Sequence, residues 1–221
     1  AIRHELDPIS LPLDEALGKA LSFESGVIVV ADQADNPGGG APSDSTFALK
    51  ALLDRGVTNA GLAMMWDPIA VKVAMSAGEG ATLTLRLGGK MGPMSGDPLD
   101  LTVTVTKIIE DMKQYWPQTE GTLEIECGVS VALHCQGIDI IVNSHRCQVL
   151  STDVFSNFGI DPKQKRLLVV KSTQHFYAGY APIADEIIYM AGPGAIAPLF
   201  KEIPYERTDL NKYPWVDNPF A

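Results

Sequence analysis

No apolar run in this sequence approaches the roughly 18 residues that a membrane-spanning helix requires, and no signal peptide is visible. Basic residues are also in short supply. Lys and Arg number 17 against 27 Asp and Glu, a formal net charge of −10. Binding to phosphate backbones needs clustered Lys and Arg, so neither nucleic acid nor a membrane is expected as a partner. Cysteine is scarce, and Cys127, Cys135 and Cys147 lack Cys-x-x-Cys spacing. Three cysteines cannot all pair within one chain, so buried reduced thiols in a cytoplasmic protein are the expectation. Of the four histidines, His4, His134, His145 and His175, none has a partner at metal-binding spacing. A zincin helix motif and Asp-x-His are both absent, as are the spacings of a P-loop or a dinucleotide fingerprint. No metal ligand is therefore expected in this stretch.

What is present suffices for a sizeable core: 46% of the 221 residues are hydrophobic and 20% charged. Helix and strand patterns alternate in the first half. Helices are expected at Leu13–Leu21, Ser45–Arg55 and Pro68–Ala77, and strands at Val27–Val30, Asn59–Met64 and Ala81–Leu87. Ser43 or Asp44 is a cap candidate for the second helix, with Gly56 closing it, and Asp67 is a cap candidate for the third. Leu99–Ile109 alternates like a half-exposed strand. Thr122–Glu126, Val129–Cys135, Ile138–Asn143 and Cys147–Leu150 continue the theme, with a hairpin turn at Gln136-Gly137. The α/β rhythm then resumes with helix Thr152–Phe158, strand Arg166–Val170, a helix near Gln174–Tyr180 and strand Glu186–Met190. The pattern predicts a single α/β domain over residues 1–221, with a mostly parallel or mixed sheet flanked by helices. An antiparallel β insertion is expected over about residues 99–150, a leader and helix over 1–25, and an irregular tail over 192–221.

In open α/β sheets ligands bind beyond the carboxyl ends of the strands. The first strand here runs into a loop carrying Asp32, Asp35, Asn36, Gly38, Gly39, Gly40, Ser43, Asp44 and Ser45. Three glycines let backbone approach a ligand closely, and the helix start that follows presents free N–H groups. Asp67 follows the second strand, Gly88-Gly89-Lys90 follows Leu87, and Lys171-Ser172-Thr173-Gln174-His175 follows Val170. If these strands are parallel and adjacent, their polar ends share one rim. Each group also has an ordinary role: the aspartates as helix caps, Gly88-Gly89 as a tight turn, Lys90 and Lys171 as solvated lysines. His175, one step before Phe176, is either an imidazole poised for proton transfer or a structural histidine at a helix start.

Several motifs, in order, resemble the C-terminal domain of the MlrC family of microcystin-degrading metallopeptidases. They are Asn36-Pro37-Gly38-Gly39-Gly40, Trp66-Asp67-Pro68, Leu87-Gly88-Gly89-Lys90, Asp100-Leu101-Thr102-Val103-Thr104-Val105, Gly159-Ile160-Asp161-Pro162 and Lys171-Ser172-Thr173-Gln174-His175-Phe176. The resemblance implies a C-terminal portion of a longer protein, which agrees with the start on Ala-Ile-Arg-His. A preceding domain of the same polypeptide would supply the zinc ligands, and the substrate would be a small linear peptide or amide. Zinc is then the cofactor of the full-length protein, with none expected in this chain. The implied catalytic candidates are His175, Asp35 and Lys171, and the implied substrate-binding candidates are Asn36, Gly38, Gly39, Gly40, Ser45, Lys90 and Gln174. A homo-oligomer is a further possible partner. Two other readings stand beside this one: a module binding a small anion at the glycine loop, and a structural domain without chemistry of its own.

Overall fold

In the computed structural model, residues 9–220 are described, so part of the expected leader, with His4, lies outside them. Three apolar segments form the centre: β2 (Ile28–Asp32), β3 (Ala60–Trp66) and β8 (Leu167–Val170), buried along nearly their whole length. Continuous burial is what strands need when helices cover both faces of a parallel sheet. Side chains alternate as the pleat requires. Ile28 and Val30 join one core with Leu49, Leu52, Leu62 and Val71, while Val29 and Ala31 join a second with Met64, Phe155, Phe176 and Tyr180.

Around this centre lie β1 (Leu11–Pro12), β4 (Thr82–Leu87), β5 (Leu99–Pro117), β6 (Thr122–Cys135), β7 (Ile138–Asn143) and β9 (Glu186–Ala191). The nine-stranded sheet has the order β1-β9-β2-β8-β3-β7-β6-β5-β4. Pairing is parallel from β1 through to β7 and antiparallel among β7, β6, β5 and β4. The fold is thus the expected mixed α/β arrangement, with antiparallel strands beside parallel ones. Helices α1 (Leu13–Ser22), α2 (Phe47–Asp54) and α3 (Pro68–Ala77) contribute to the first core; short α4 (Asp153–Ser156) and α5 (Tyr177–Tyr180) contribute to the second. Among the described residues no helix is long and apolar enough to cross a membrane.

Several local expectations shift. Helix α2 begins at Phe47, and neither Ser43 nor Asp44 caps it; Thr46 holds the cap position without a side-chain bond to the helix. Strand β5 runs on to Pro117, and the two runs expected on either side of Gly128 are one strand, β6. Cys147–Leu150 is irregular rather than a strand. Gln136 and Gly137 do form the β6–β7 turn, both at positive φ (49° and 85°).

The antiparallel part does not lie flat. Helix α3 packs against β4, β5, β6 and β7. The β5 register shifts between Val105 and Lys107. Past that irregularity the β4–β5 pair folds back over α3, so that Gly88, just after β4, donates its N–H to Asp67 at the start of α3 (2.9 Å). A bulge is the usual device for such a bend.

Candidate functional site

The carboxyl ends of β2, β8 and β3 are adjacent and parallel, so the segments after them share one rim. Segments Asp32–Ser45 and Lys171–His175 meet directly there. Asn36 Nδ2 donates to Thr173 Oγ1 (2.8 Å), and Lys171 Nζ donates to Asp35 Oδ2 (2.8 Å), to Ser45 O (3.1 Å) and to Asp32 Oδ2 (3.3 Å). Lys171 and Asp35 are fully buried and Asp32 nearly so. Burial pushes the Asp32 carboxyl above its ordinary pKa despite the attraction of Lys171. For Lys171, burial alone would depress the pKa, but the charges of Asp35 and Asp32 outweigh it and hold the ammonium above its ordinary value. Asp35 also accepts the N–H groups of Ser43 and Ser45, each at 2.8 Å. This ion cluster fixes the glycine loop from beneath.

The loop is a single turn of 3-10 helix, Pro37–Gly39, capped by Asn36, whose Oδ1 accepts from Gly38 N–H at 3.0 Å. Gly39 and Ala41 N–H bond to Asn36 O, and Gly40 N–H bonds to Pro37 O. At the start of α2, Thr46 N–H donates to Ser95 O (3.0 Å) and its hydroxyl to Asp97 O (2.8 Å). The N–H groups of the glycine loop are therefore engaged within the chain, and the Gly38–Gly40 turn presents bare, exposed backbone rather than an anion cradle.

Asp44 and Asp67 organise the Gly88–Ser95 loop. Asp44 Oδ2 accepts the N–H groups of Lys90 (2.7 Å) and Met91 (2.9 Å), and its Oδ1 accepts the Ser95 hydroxyl. Asp67 does cap α3, accepting Ala70 N–H at 3.0 Å, while its other oxygen takes Gly88 N–H and the Lys90 ammonium. Lys90 is thus ion-paired at the rim rather than freely solvated. It arrives there by the fold-over of β4, an edge strand, and not from a parallel neighbour. Gly88 is obligatory at this place: its φ is 59°, and a Cβ would lie 2.6 Å from Asp44 O.

The outward face carries His175, Gln174 and the Gly38–Gly40 turn, all exposed. Gln148 bridges them. Its Nε2 lies 2.9 Å from His175 Nδ1, and its amide packs so closely on Gly38 that a Cβ there would come within 2.7 Å. Donation from Gln148 to Nδ1 leaves Nε2 of a neutral imidazole carrying the proton. The ring rests against Trp116, centroids 4.5 Å apart. Gln174 Oε1 accepts from Tyr189 Oη at 3.4 Å. The carboxy-terminal tail closes the opposite side, with Ile196 N–H on Ala34 O (3.0 Å). Of the substrate-contact candidates, Asn36 and Ser45 are buried. Among the described residues the Ser45 hydroxyl, like Asp32 Oδ1, has no hydrogen-bond partner.

Gln148, Trp116 and Ile196 went unread in the sequence. Gln148 sits in a segment taken for a strand, Trp116 lies beyond the expected end of β5, and Ile196 belongs to the irregular tail. Only the Trp116 position carried a signal, because a large aromatic far from the core stripe needs something to rest on. As a metal centre the residues present do not fit: Asp35, Asp44 and Asp67 each have both oxygens engaged by N–H, O–H or ammonium donors. Among the described residues no three His, Cys, Asp or Glu side chains gather as a metal would need.

Comparison with known proteins identifies the family and the fold. The family model described as the MlrC C-terminus matches residues 30–207. Microcystinase C of a Sphingomonas species is 35% identical over 164 residues, which is 74% of this chain and 32% of that protein. A crystal structure of a proposed metallopeptidase from Mesorhizobium sp. BNC1 superposes with a TM-score of 0.78 at 24% identity, covering 94% of this chain and 42% of that one, a likeness of fold. The chain thus spans well under half the length of the relatives it matches. It belongs to the MlrC family, as its C-terminal domain.

Proposed function

We propose that this domain forms one wall of the substrate cleft in an MlrC-type zinc hydrolase acting on small linear peptides or amides. The metal ligands would lie in a preceding domain of the same polypeptide, which is the principal partner, and the protein would work in the cytoplasm, where three free thiols stay reduced. The bound zinc would supply an activated water and polarise the scissile carbonyl. No residue described here supplies that group, and their part is to receive and orient the substrate.

The observation that carries the reading is the outward imidazole of His175, fixed at Nδ1 by Gln148 and backed by Trp116, above the bare turn of Gly38–Gly40. Gln148 flanks Gly38 and Ile196 flanks Gly39, so a substrate backbone would approach at the open Gly40 end of the turn, with the His175 Nε2–H and the Gln174 amide as its polar contacts. Asp35 and Lys171 act from below by holding the loop, and Asn36 by shaping its turn. Lys90 closes the far edge of the same rim. The small-anion alternative draws no support from the loop, whose N–H groups are already bonded.

The test uses the full-length parent protein. His175→Ala and Gln148→Ala should each lower kcat/KM, the first by about a hundredfold, as for the loss of a donor aimed at developing charge. Metal content measured by plasma emission should be unchanged. Full turnover in both variants would refute the assignment.

A further inference from the structure

Strand β7 pairs in parallel with β3, so the segment after it, Ser144–Gln148, leaves from the same edge of the sheet as the rim. That segment is anchored at both ends. At the first, Ser144 N–H donates to Val129 O (2.9 Å), His145 N–H donates to Cys127 O (3.1 Å), and the Asn143 amide donates to His145 O. At the second, Val149 N–H reaches Lys171 O (3.2 Å) and Gln148 meets His175. Between the two anchors stands Arg146, exposed.

The Arg146 guanidinium carbon lies over the Trp66 ring, 4.0 Å from its centroid. Trp66 is itself fixed. Its indole N–H donates to Ser144 O (2.9 Å), and its backbone N–H donates to Ser43 O (2.8 Å), in the stretch that follows the glycine turn. A cation over an aromatic face is held by the ring quadrupole. Such a contact occupies the flat of the guanidinium and leaves unspent the N–H donors that lie in its plane. Among the described residues the Arg146 guanidinium has neither an ion-pair nor a hydrogen-bond partner.

That is unusual company for this chain, whose 27 Asp and Glu outnumber its 17 Lys and Arg. At the rim, Lys90 is bound by Asp67 and Lys171 by Asp35 and Asp32. Elsewhere Arg55 and Arg86 are claimed by carboxylates, and Arg166 spends its donors on backbone carbonyls. A guanidinium fork braced by its face, with its edge open beside the rim, matches a planar anion with two oxygens.

We propose that Arg146, braced on Trp66, receives a carboxylate of the substrate through paired N–H···O bonds. The inference rests on the cleft reading above and narrows it to anionic peptides or amides. Arg146 is two residues from Gln148, at most about 7 Å between Cα atoms, so one short substrate can span from its guanidinium to the His175 imidazole. The carboxylate is either the chain terminus or an acidic side chain, and the fork binds both alike.

The test uses the full-length parent protein and three probes. These are acetyl-trialanine as the free acid, acetyl-Ala-Glu-Ala as its carboxamide, and acetyl-trialanine carboxamide, which carries no carboxylate. Phenylglyoxal, which modifies open guanidinium groups, is followed by peptide mass mapping. Arg146 should react in the free parent, and at least one acid probe should slow that reaction by at least about tenfold near saturation, with exposed Arg207 as the unaffected control. Which acid protects identifies the source of the carboxylate. By calorimetry the protecting acid should bind at least about tenfold more tightly than the neutral probe. Arg146→Gln should abolish that preference, and Arg146→Lys should keep only part of it, because an ammonium cannot fork. An unreactive Arg146 in the free protein, equal protection by all three probes, or an acid preference that survives in Arg146→Gln overturns the proposal. Any of these in a parent whose turnover still depends on His175 strikes this inference alone. Protection at Arg146 in a parent whose turnover ignores His175 would sustain the carboxylate site and sink the assignment of His175.

Discussion

Replacing Lys171 with methionine tests whether the glycine loop hangs on a buried charge. Methionine keeps the length and apolar stem of the side chain and deletes the ammonium. Asp35 keeps the N–H groups of Ser43 and Ser45, so the loss falls chiefly on Asp32, which forfeits its counter-charge in a fully enclosed place. Breaking one side of a buried ion pair costs about 3–5 kcal/mol. The cost has a ceiling, because Asp32 can take up a proton instead. From an unfolded pKa of about 3.9, that escape costs about 1.4 kcal/mol per pH unit, so about 5–6 kcal/mol at pH 8 but only about 1.5 at pH 5. Urea unfolding followed by tryptophan fluorescence should thus place the variant midpoint about 1–2 M below the parent at pH 8, for a slope of about 2–3 kcal/mol/M. At pH 5 most of that gap should close. A pH 8 shift under about 0.3 M, or a shift equal at both pH values, would refute the reasoning.

The parent protein has its own pH signature. Because the Lys171 pKa is raised, its stabilisation is complete below the unfolded value of about 10.4 and is lost as pH climbs through the higher folded value, which alkaline thermal melts will detect. The raised Asp32 carboxyl gives a slope of the same sign in the acid range, costing stability above its folded pKa and relieving that cost as pH falls through it toward the unfolded value. Gly88→Ala must place a Cβ against Asp44 O at positive φ and should cost about 2–4 kcal/mol, a melting-temperature drop of about 4–16 °C by calorimetry. Gly38→Ala meets only the flexible end of Gln148, so its melting temperature should hardly move. NMR of the imidazole nitrogens should nevertheless report loss of the bond to His175 Nδ1. Asp67→Ala removes a helix cap together with the Gly88 and Lys90 ties, and should exceed the ~1 kcal/mol of a cap alone in urea titrations.

The central architecture was legible in the sequence because its forces are local and repetitive. Val27–Val30 read as a buried strand and Arg166–Val170 as a strand, each close to the observed Ile28–Asp32 and Leu167–Val170, and Asp67-Pro68 announced a helix start. The meeting of the glycine loop with Lys171–His175 followed from the rule that parallel strands deliver their ends to one rim. What escaped depended on partners distant in the chain. Asp44 looks like a cap beside α2, but the N–H groups of Lys90 and Met91 claim its carboxylate, and no local pattern signals them. Strand β5 keeps going through Lys107, Glu110, Asp111 and Lys113 because β6 supplies its hydrogen bonds, although alternation has ended. Cys147–Leu150 has strand-like composition yet is drawn into irregular backbone, with Val149 N–H bonded to Lys171 O and Leu150 N–H to Gln114.

Enclosing the Lys171 ammonium under the triglycine turn has one more effect. With oxygens from β2, the loop and the α2 approach all anchored to a single nitrogen, that stretch of chain has no slack with which to swing. Any molecule arriving at the rim meets a surface whose contour is already settled. If the rim is the cleft wall proposed above, adjustment would have to come from the visitor or from polypeptide facing it, and discrimination would work by template rather than by a folding flap.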